Sequence, residues 1–186
     1  MATVTSKLES INVMLTSIGE SPVNTITSST TTDVSIAVQI LDNVSREVQS
    51  VGWHFNTDVN YKLAKNTSNQ IVLPSNCLRV DNTHQDADLD LVERNRKLWG
   101  RKNHTYTIEQ DVRVNITWLL EFTEIPETAR RYITIRAARI FQDRMLASDT
   151  LYKFHQVDEI QALAALKEHE GDTSCLLYTS PSPRDS

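Results

Sequence analysis

Cysteine, glycine and proline are all scarce in this chain. Of 186 residues, two are Cys (Cys77 and Cys175), four are Gly and five are Pro. Two isolated cysteines cannot build a disulfide framework and suit a reducing compartment. So little Gly and Pro excludes collagen-like and low-complexity architectures and leaves too few glycines for a phosphate-cradling loop. No run of 18 or more apolar residues occurs, so no transmembrane helix is expected. Residues Met1 to Thr5 lack a basic region followed by an apolar core, so no secretory leader is expected, and Asn43-Val44-Ser45 carries no glycosylation meaning. A surplus of positive charge is missing too. Lys and Arg total 19 against 24 Asp and Glu, a formal net charge of −5, which excludes a simple DNA-coating role.

What is present is ordinary for a folded domain: 39% apolar and 23% charged residues. A chain of this length buries roughly 70% of its unfolded surface and can hold a core without staples. The apolar residues are periodic. Ser6-Lys7-Leu8-Glu9 has capping-box spacing, and Leu8, Ile11, Leu15 and Ile18 follow at helical intervals up to Gly19 and Pro22. Asp33 suits the cap of a second helix with Val34, Ala37, Ile40, Leu41, Val44, Val48 and Val51 on one face, ending at Gly52. Trp53 and Phe55 alternate like the start of a strand. Val59, Tyr61 and Leu63 alternate, Ile71 to Leu73 and Cys77 to Val80 form short apolar runs, and Leu89 to Glu93 with Lys97 to Trp99 predict a hairpin around Asn95-Arg96. Val112, Val114, Ile116 and Trp118 give the clearest period of two. Pro126 suits the first position of a third helix with Ala129, Tyr132, Ile133, Ala137, Ile140 and Phe141 on its face. Ser148 or Asp149 can cap a last helix, with Leu151, Phe154, Val157, Ile160, Leu163 and Ala164 on or near its buried face.

Segregated runs of helix, strand and helix predict an α+β fold: a four-helix bundle, two N-terminal and two C-terminal helices, with an inserted β-rich segment. The expected parts are 1–55 and 123–174 for the bundle and 56–122 for the insertion.

Chemistry-bearing residues are scattered. His54, His84, His104, His155 and His169 lie far apart, and no Cys/His pair has zinc spacing. Asp86, Asp88 and Asp90 alternate like a calcium loop, but Leu91 and Lys97 stand where its Gly and bidentate Glu belong, so a solvated loop is expected. Cys77 lies in a strand with no base positioned beside it and reads as a buried, inert thiol. Glu121, Glu124 and Glu127 are the carboxylates a metal-dependent nuclease would need, but they cluster at a helix start, where negative charge favours the dipole, and that is the reading expected. No catalytic, cofactor-binding or metal residue is therefore expected. Arg130, Arg131, Arg136 and Arg139 share the third helix at spacings that suit either ion pairs across a subunit interface or local pairs on a solvated face. Trp53, Phe55 and Trp118 are the candidate structural core aromatics.

Several segments occur in a telling order between about Leu8 and Glu170: Ile18 to Val23, Ala37 to Asn56, Leu73-Pro74, Leu78 to Asp81, Phe122 to Glu127, Arg130 to Ile133 and Arg136 to Phe141. The stretch Val48-Gln49-Ser50-Val51-Gly52-Trp53-His54-Phe55-Asn56 is the most specific. Together they resemble the tail tubular protein A family of T7-like podoviruses, the adaptor or gatekeeper proteins of short phage tails. The resemblance implies a structural virion subunit that is not an enzyme and has no cofactor. It implies a homo-oligomeric, twelve-subunit ring between the portal protein and the tail nozzle protein, assembled in the host cytoplasm, with DNA passing transiently through its channel during ejection. The charge of −5 adds the expectation of a negative channel lining along which DNA slides without sticking. Another head-completion connector is the nearest alternative; a metal-dependent nuclease is the alternative from a different class.

From Cys175 the composition switches abruptly. Cys175-Leu176-Leu177-Tyr178-Thr179-Ser180-Pro181-Ser182-Pro183-Arg184-Asp185 looks like a translated sequencing-library adapter, so 175–186 are expected to be foreign to the family and the native C-terminal end to be missing.

Overall fold

The computed structural model describes residues 4–27, 31–83, 89–146 and 149–176. They fall into two compact units, one of 1–48 with 121–186, the other of 49–120. The first is helical and the second carries the strands, in the order helix, helix, β segment, helix, helix. This is the α+β arrangement that the segregated runs of helix and strand predict.

In the helical unit, α1 spans Lys7–Ser17, and Ser6 Oγ accepts from Glu9 N at 3.1 Å. Gly19 ends it at φ +85°, with Gly19 N on Thr16 O and Glu20 N on Leu15 O, the paired bonds of a left-handed cap. Helix α2, Thr32–Gln49, buries Val34, Ala37, Ile40, Leu41, Val44 and Val48. Val51 lies beyond its end and is exposed. Helix α3 is Glu127–Leu146. Pro126 precedes it rather than opening it, and gives its carbonyl to Arg130 N at 3.0 Å. Ala129, Tyr132, Ile133, Ala137 and Phe141 are buried as expected. Ser10 Oγ and Thr134 Oγ1, 2.8 Å apart, join α1 to α3; Lys7 to Asp42 (2.6 Å) and Arg136 to Glu47 (2.5 Å) tie α1 and α3 to α2.

Helix α4, Asp149–Leu176, corrects the sequence reading. Ala162 and Leu166 are buried and Leu163 is half-buried, but Val157 and Ile160 are 54% and 61% exposed and Ala164 is exposed. Glu159 sets this register. Its carboxylate is paired with Arg136 and Arg139 of α3, so the packed stripe runs through 159, 162, 163 and 166 and turns Val157 and Ile160 outward. Helix α4 continues through Cys175 and Leu176, where a break was expected; Ser148 and the rest of the adapter-like string, 177–186, lie outside the described residues.

In the second unit, a three-stranded antiparallel sheet has the order β1-β5-β2: Thr57–Leu63, Val112–Trp118 and Cys77–Asn82. The hairpin β3, Leu91–Arg94, and β4, Lys97–Gly100, turns at Asn95 and Arg96, both left-handed (φ 51° and 58°), the geometry that a two-residue turn requires. Segment 71–73 lies along β4, with Leu98 N on Ile71 O and Leu73 N on Arg96 O. Leu63, Ile71, Leu73, Cys77, Leu91, Leu98, Ile108, Val112, Val114 and Ile116 form one core. Two expectations fail locally. Val59 is 76% exposed, because left-handed Asn60 makes a bulge between Asp58 and Tyr61 and breaks the alternation. Trp53 and Phe55 do not start a strand: His54–Asn56 is a 3-10 helix, held by Asn56 Oδ1 accepting from Trp53 N at 2.8 Å.

Candidate assembly surface

The α3 arginines divide by environment. Arg130 is 7% exposed and points back over the turn before its helix. Its guanidinium donates to Ile125 O (2.8 Å), Thr5 O (3.1 Å) and Thr123 O (2.5 Å). Arg136 and Arg139, half-buried, face α4. Arg136 bonds Tyr132 Oη at 3.0 Å and Glu47, with Glu159 at 3.5 Å; Arg139 pairs with Glu159 and, at 3.3 Å, with Asp143. Burial works against the charge of Arg136, and the Tyr132 hydroxyl with Glu47 and Glu159 outweighs it, raising its pKa further. Arg131 points outward and is exposed, with no hydrogen bond or ion pair among the described residues.

Between α3 and α4 lies a groove of about 190 Å³ lined by Tyr132, Arg136, Arg139, Glu159, Ile160 and Leu163, among others. Its rim carries the exposed Ile160, with exposed Val157 three residues earlier on the same helix. Apolar side chains turned off the core beside an ion-paired groove form a surface suited to another protein.

The aromatics lie in the second unit. Trp53 is 8% exposed and Phe55 is half-buried. Trp118, also half-buried, donates Nε1 to Asp58 Oδ2 at 2.8 Å and meets Tyr61 edge-on at 5.3 Å. Two of the three carboxylates that a nuclease would need are engaged by nearby groups: Glu124 Oε2 accepts from Glu121 N at 3.0 Å, and Glu127 accepts from Thr5 N at 2.9 Å and from the Thr5 hydroxyl. Among the described residues no cluster of His, Cys, Asp and Glu has the makings of a metal site. Asp90 sits 3.6 Å from Arg101; Asp86, Asp88 and His84 lie outside the described residues. Cys77 is buried, and burial pushes its thiol pKa up, with the charge of Glu93 adding to the shift and Arg96 opposing it. That is the electrostatics of an unreactive thiol.

Two features escaped the sequence reading. One is an amide clasp at the foot of the second unit. Gln49 Nε2 donates to Leu120 O (3.1 Å) while its Oε1 accepts from Leu120 N (2.8 Å), and Asn56 Nδ2 donates to Gln49 O (2.9 Å) and Trp118 O (2.8 Å). Both amides are buried, in the stretch Val48 to Asn56 that carries the strongest resemblance. The other is the run of cations from Arg94 to Lys102, legible as a charge run but passed over because the whole chain is acidic.

A family model described as tail tubular protein matches residues 8–176. The chain belongs to the tail tubular protein family. It is therefore a structural component of a phage tail, a virion protein that assembles with other tail proteins. No curated protein matches the chain. In tail tubular terms, the matched span takes in all four helices and both sheets, from the second residue of α1 to the last of α4.

Proposed function

We propose that this tail tubular protein is a subunit of the adaptor ring that joins the portal to the tail nozzle of a short-tailed phage, and that the ring forms part of the DNA ejection channel. The family match over residues 8–176 carries the reading. The motif order that resembles the podovirus adaptor family supports the finer assignment. A closed ring needs two different surfaces on each copy, one for each neighbour. The Val157 and Ile160 face of α4 with its groove supplies one, and Arg131, next in sequence to the groove residue Tyr132, supplies an outward cation for an ion pair across the contact. Arg136 and Arg139 act from inside by holding α4 in register, and Arg130 by holding the turn before α3. The subunits assemble in the host cytoplasm and end in the virion tail.

Native mass spectrometry and electron microscopy of the full chain are expected to give a closed, twelve-subunit ring that binds purified portal on one side and nozzle on the other. A chain that stays monomeric with both partners present would sink the adaptor reading. Binding to portal without nozzle would instead favour a head-completion role.

A further inference from the structure

Charge is unevenly spread. The second unit, 49–120, carries nine Lys and Arg against eight Asp and Glu, a surplus of one positive charge, so the rest of the −5 chain stands at −6. Five of those nine cations, Arg94, Arg96, Lys97, Arg101 and Lys102, fall within 94–102 with no acid among them. Two are engaged inward: Arg96 donates to Cys77 O at 3.4 Å and to Pro74 O, and Lys97 Nζ to Gln70 Oε1 at 2.8 Å. The other three line a groove of about 220 Å³ with Asp90, Trp99 and His104. The Arg94 guanidinium lies over the Trp99 ring at 5.0 Å, and Tyr106 meets that ring edge-on at 4.6 Å. Arg101 lies 3.6 Å from Asp90, the one carboxylate of this lining among the described residues. Guanidinium and ammonium groups only donate. The lining thus sets three cations against one carboxylate, a surplus of positive charge that suits an oxyanion.

We infer that this groove binds phosphate and that the phosphodiester backbone of DNA is the polyanion it takes. The anion preference follows from the lining; the choice of DNA rests on the channel reading above. Arg94 covers a face of Trp99, so the ring is not an open platform for stacking bases, and contact through phosphates alone is blind to sequence. A duplex presents one charge per about 1.7 Å of its axis and can engage Arg94, Arg101 and Lys102 together. Three cations per copy make a weak contact that guides DNA and lets it move, in place of the uniformly negative lining that the net charge of −5 leads one to expect.

Fluorescence anisotropy of the full chain with labelled duplexes of unrelated sequence, at salt rising from about 50 mM, tests the inference. All sequences should bind alike, with log affinity falling against log salt at a slope of about −2 to −3, for two or three phosphates at about 0.9 each. Arg94→Gln with Lys102→Gln should weaken binding about ten-fold or more and remove about two from the slope. Because Arg94 also packs on Trp99, Lys102→Gln alone is the second variant, expected to remove about one. Arg46→Gln, on the exposed side of α2, should change neither. No binding at the lowest salt, or variants with an unaltered slope, overturns the site. Polyglutamate displacing DNA at equal charge concentration overturns DNA as the ligand and makes the groove a dock for an acidic protein. Ring formation is followed in the same samples. Rings without DNA binding defeat this inference alone, and DNA binding without rings defeats the adaptor reading alone.

Discussion

Arg130 uses its guanidinium inside its own chain, on the carbonyls of Thr5, Thr123 and Ile125. Arg130→Ala is expected to lower stability by about 1–3 kcal/mol, because it leaves the carbonyl of buried Ile125 without its donor and releases the bonds to Thr5 and Thr123. Arg130→Lys should recover little, since an ammonium cannot span the fork. Urea midpoints with an unchanged m-value would check both. Asp111 gives a pH signature in the second unit. A hydrogen-bonded ion pair from Lys62 (2.9 Å) and a bond from Lys65 N (3.1 Å) hold its carboxyl below the ordinary 3.8. A depressed carboxylate contributes stability above its unfolded pKa and loses it as pH falls through the folded value. The wild type should therefore lose more stability than Asp111→Asn as pH falls from neutrality through the range below 3.8, and equal losses in urea titrations at the two ends would remove the assignment.

At the scale of elements, the turn from α2 into the sheet is held by conformation and by amides. Gly52 has φ +84°, and a Cβ there would meet Arg79 Nη2 at 3.1 Å and Thr117 Oγ1 at 3.2 Å. Gly52→Ala should cost about 1–2 kcal/mol through backbone strain and crowding. Asn56→Ala should cost about 2–3 kcal/mol for three lost bonds, two of them to carbonyls; thermal melts rank the two against wild type. These two residues also mark what the sequence could and could not tell. Periodicity located α1 to α3 and β5, because each has one buried face and a local cap or turn to bound it. The hairpin was legible because Asn95 tolerates a left-handed turn. The 3-10 helix at Trp53 was not, since it depends on Asn56 reaching Gln49 and Trp118, and the partner 62 residues away leaves no local pattern. The α4 face was missed for a related reason. Its register is set by a carboxylate, Glu159, while a reading by hydrophobicity followed Val157 and Ile160.

For the whole molecule, those two outward residues make the assembly proposal separable from folding. Val157→Asp with Ile160→Asp should leave the unfolding free energy from urea titration within about 0.5 kcal/mol of wild type, since neither is in the core. The same pair should abolish ring formation in sedimentation velocity. Intact rings would move the subunit contact elsewhere. The family itself was legible because its motifs recur in order over most of the chain; the arginines of α3 could not be sorted from sequence, because facing inward or outward is decided by helices far apart in the chain. The Gln49–Leu120 clasp has a different consequence. It fastens the first residue of the second unit to its last, so the chain departs beside the point where it arrived. A part whose two ends are buttoned together can be lost, gained or traded by one cut and one join. The helices on either side would meet almost the same stub, and descent could vary what the insertion touches while leaving the bundle as it was.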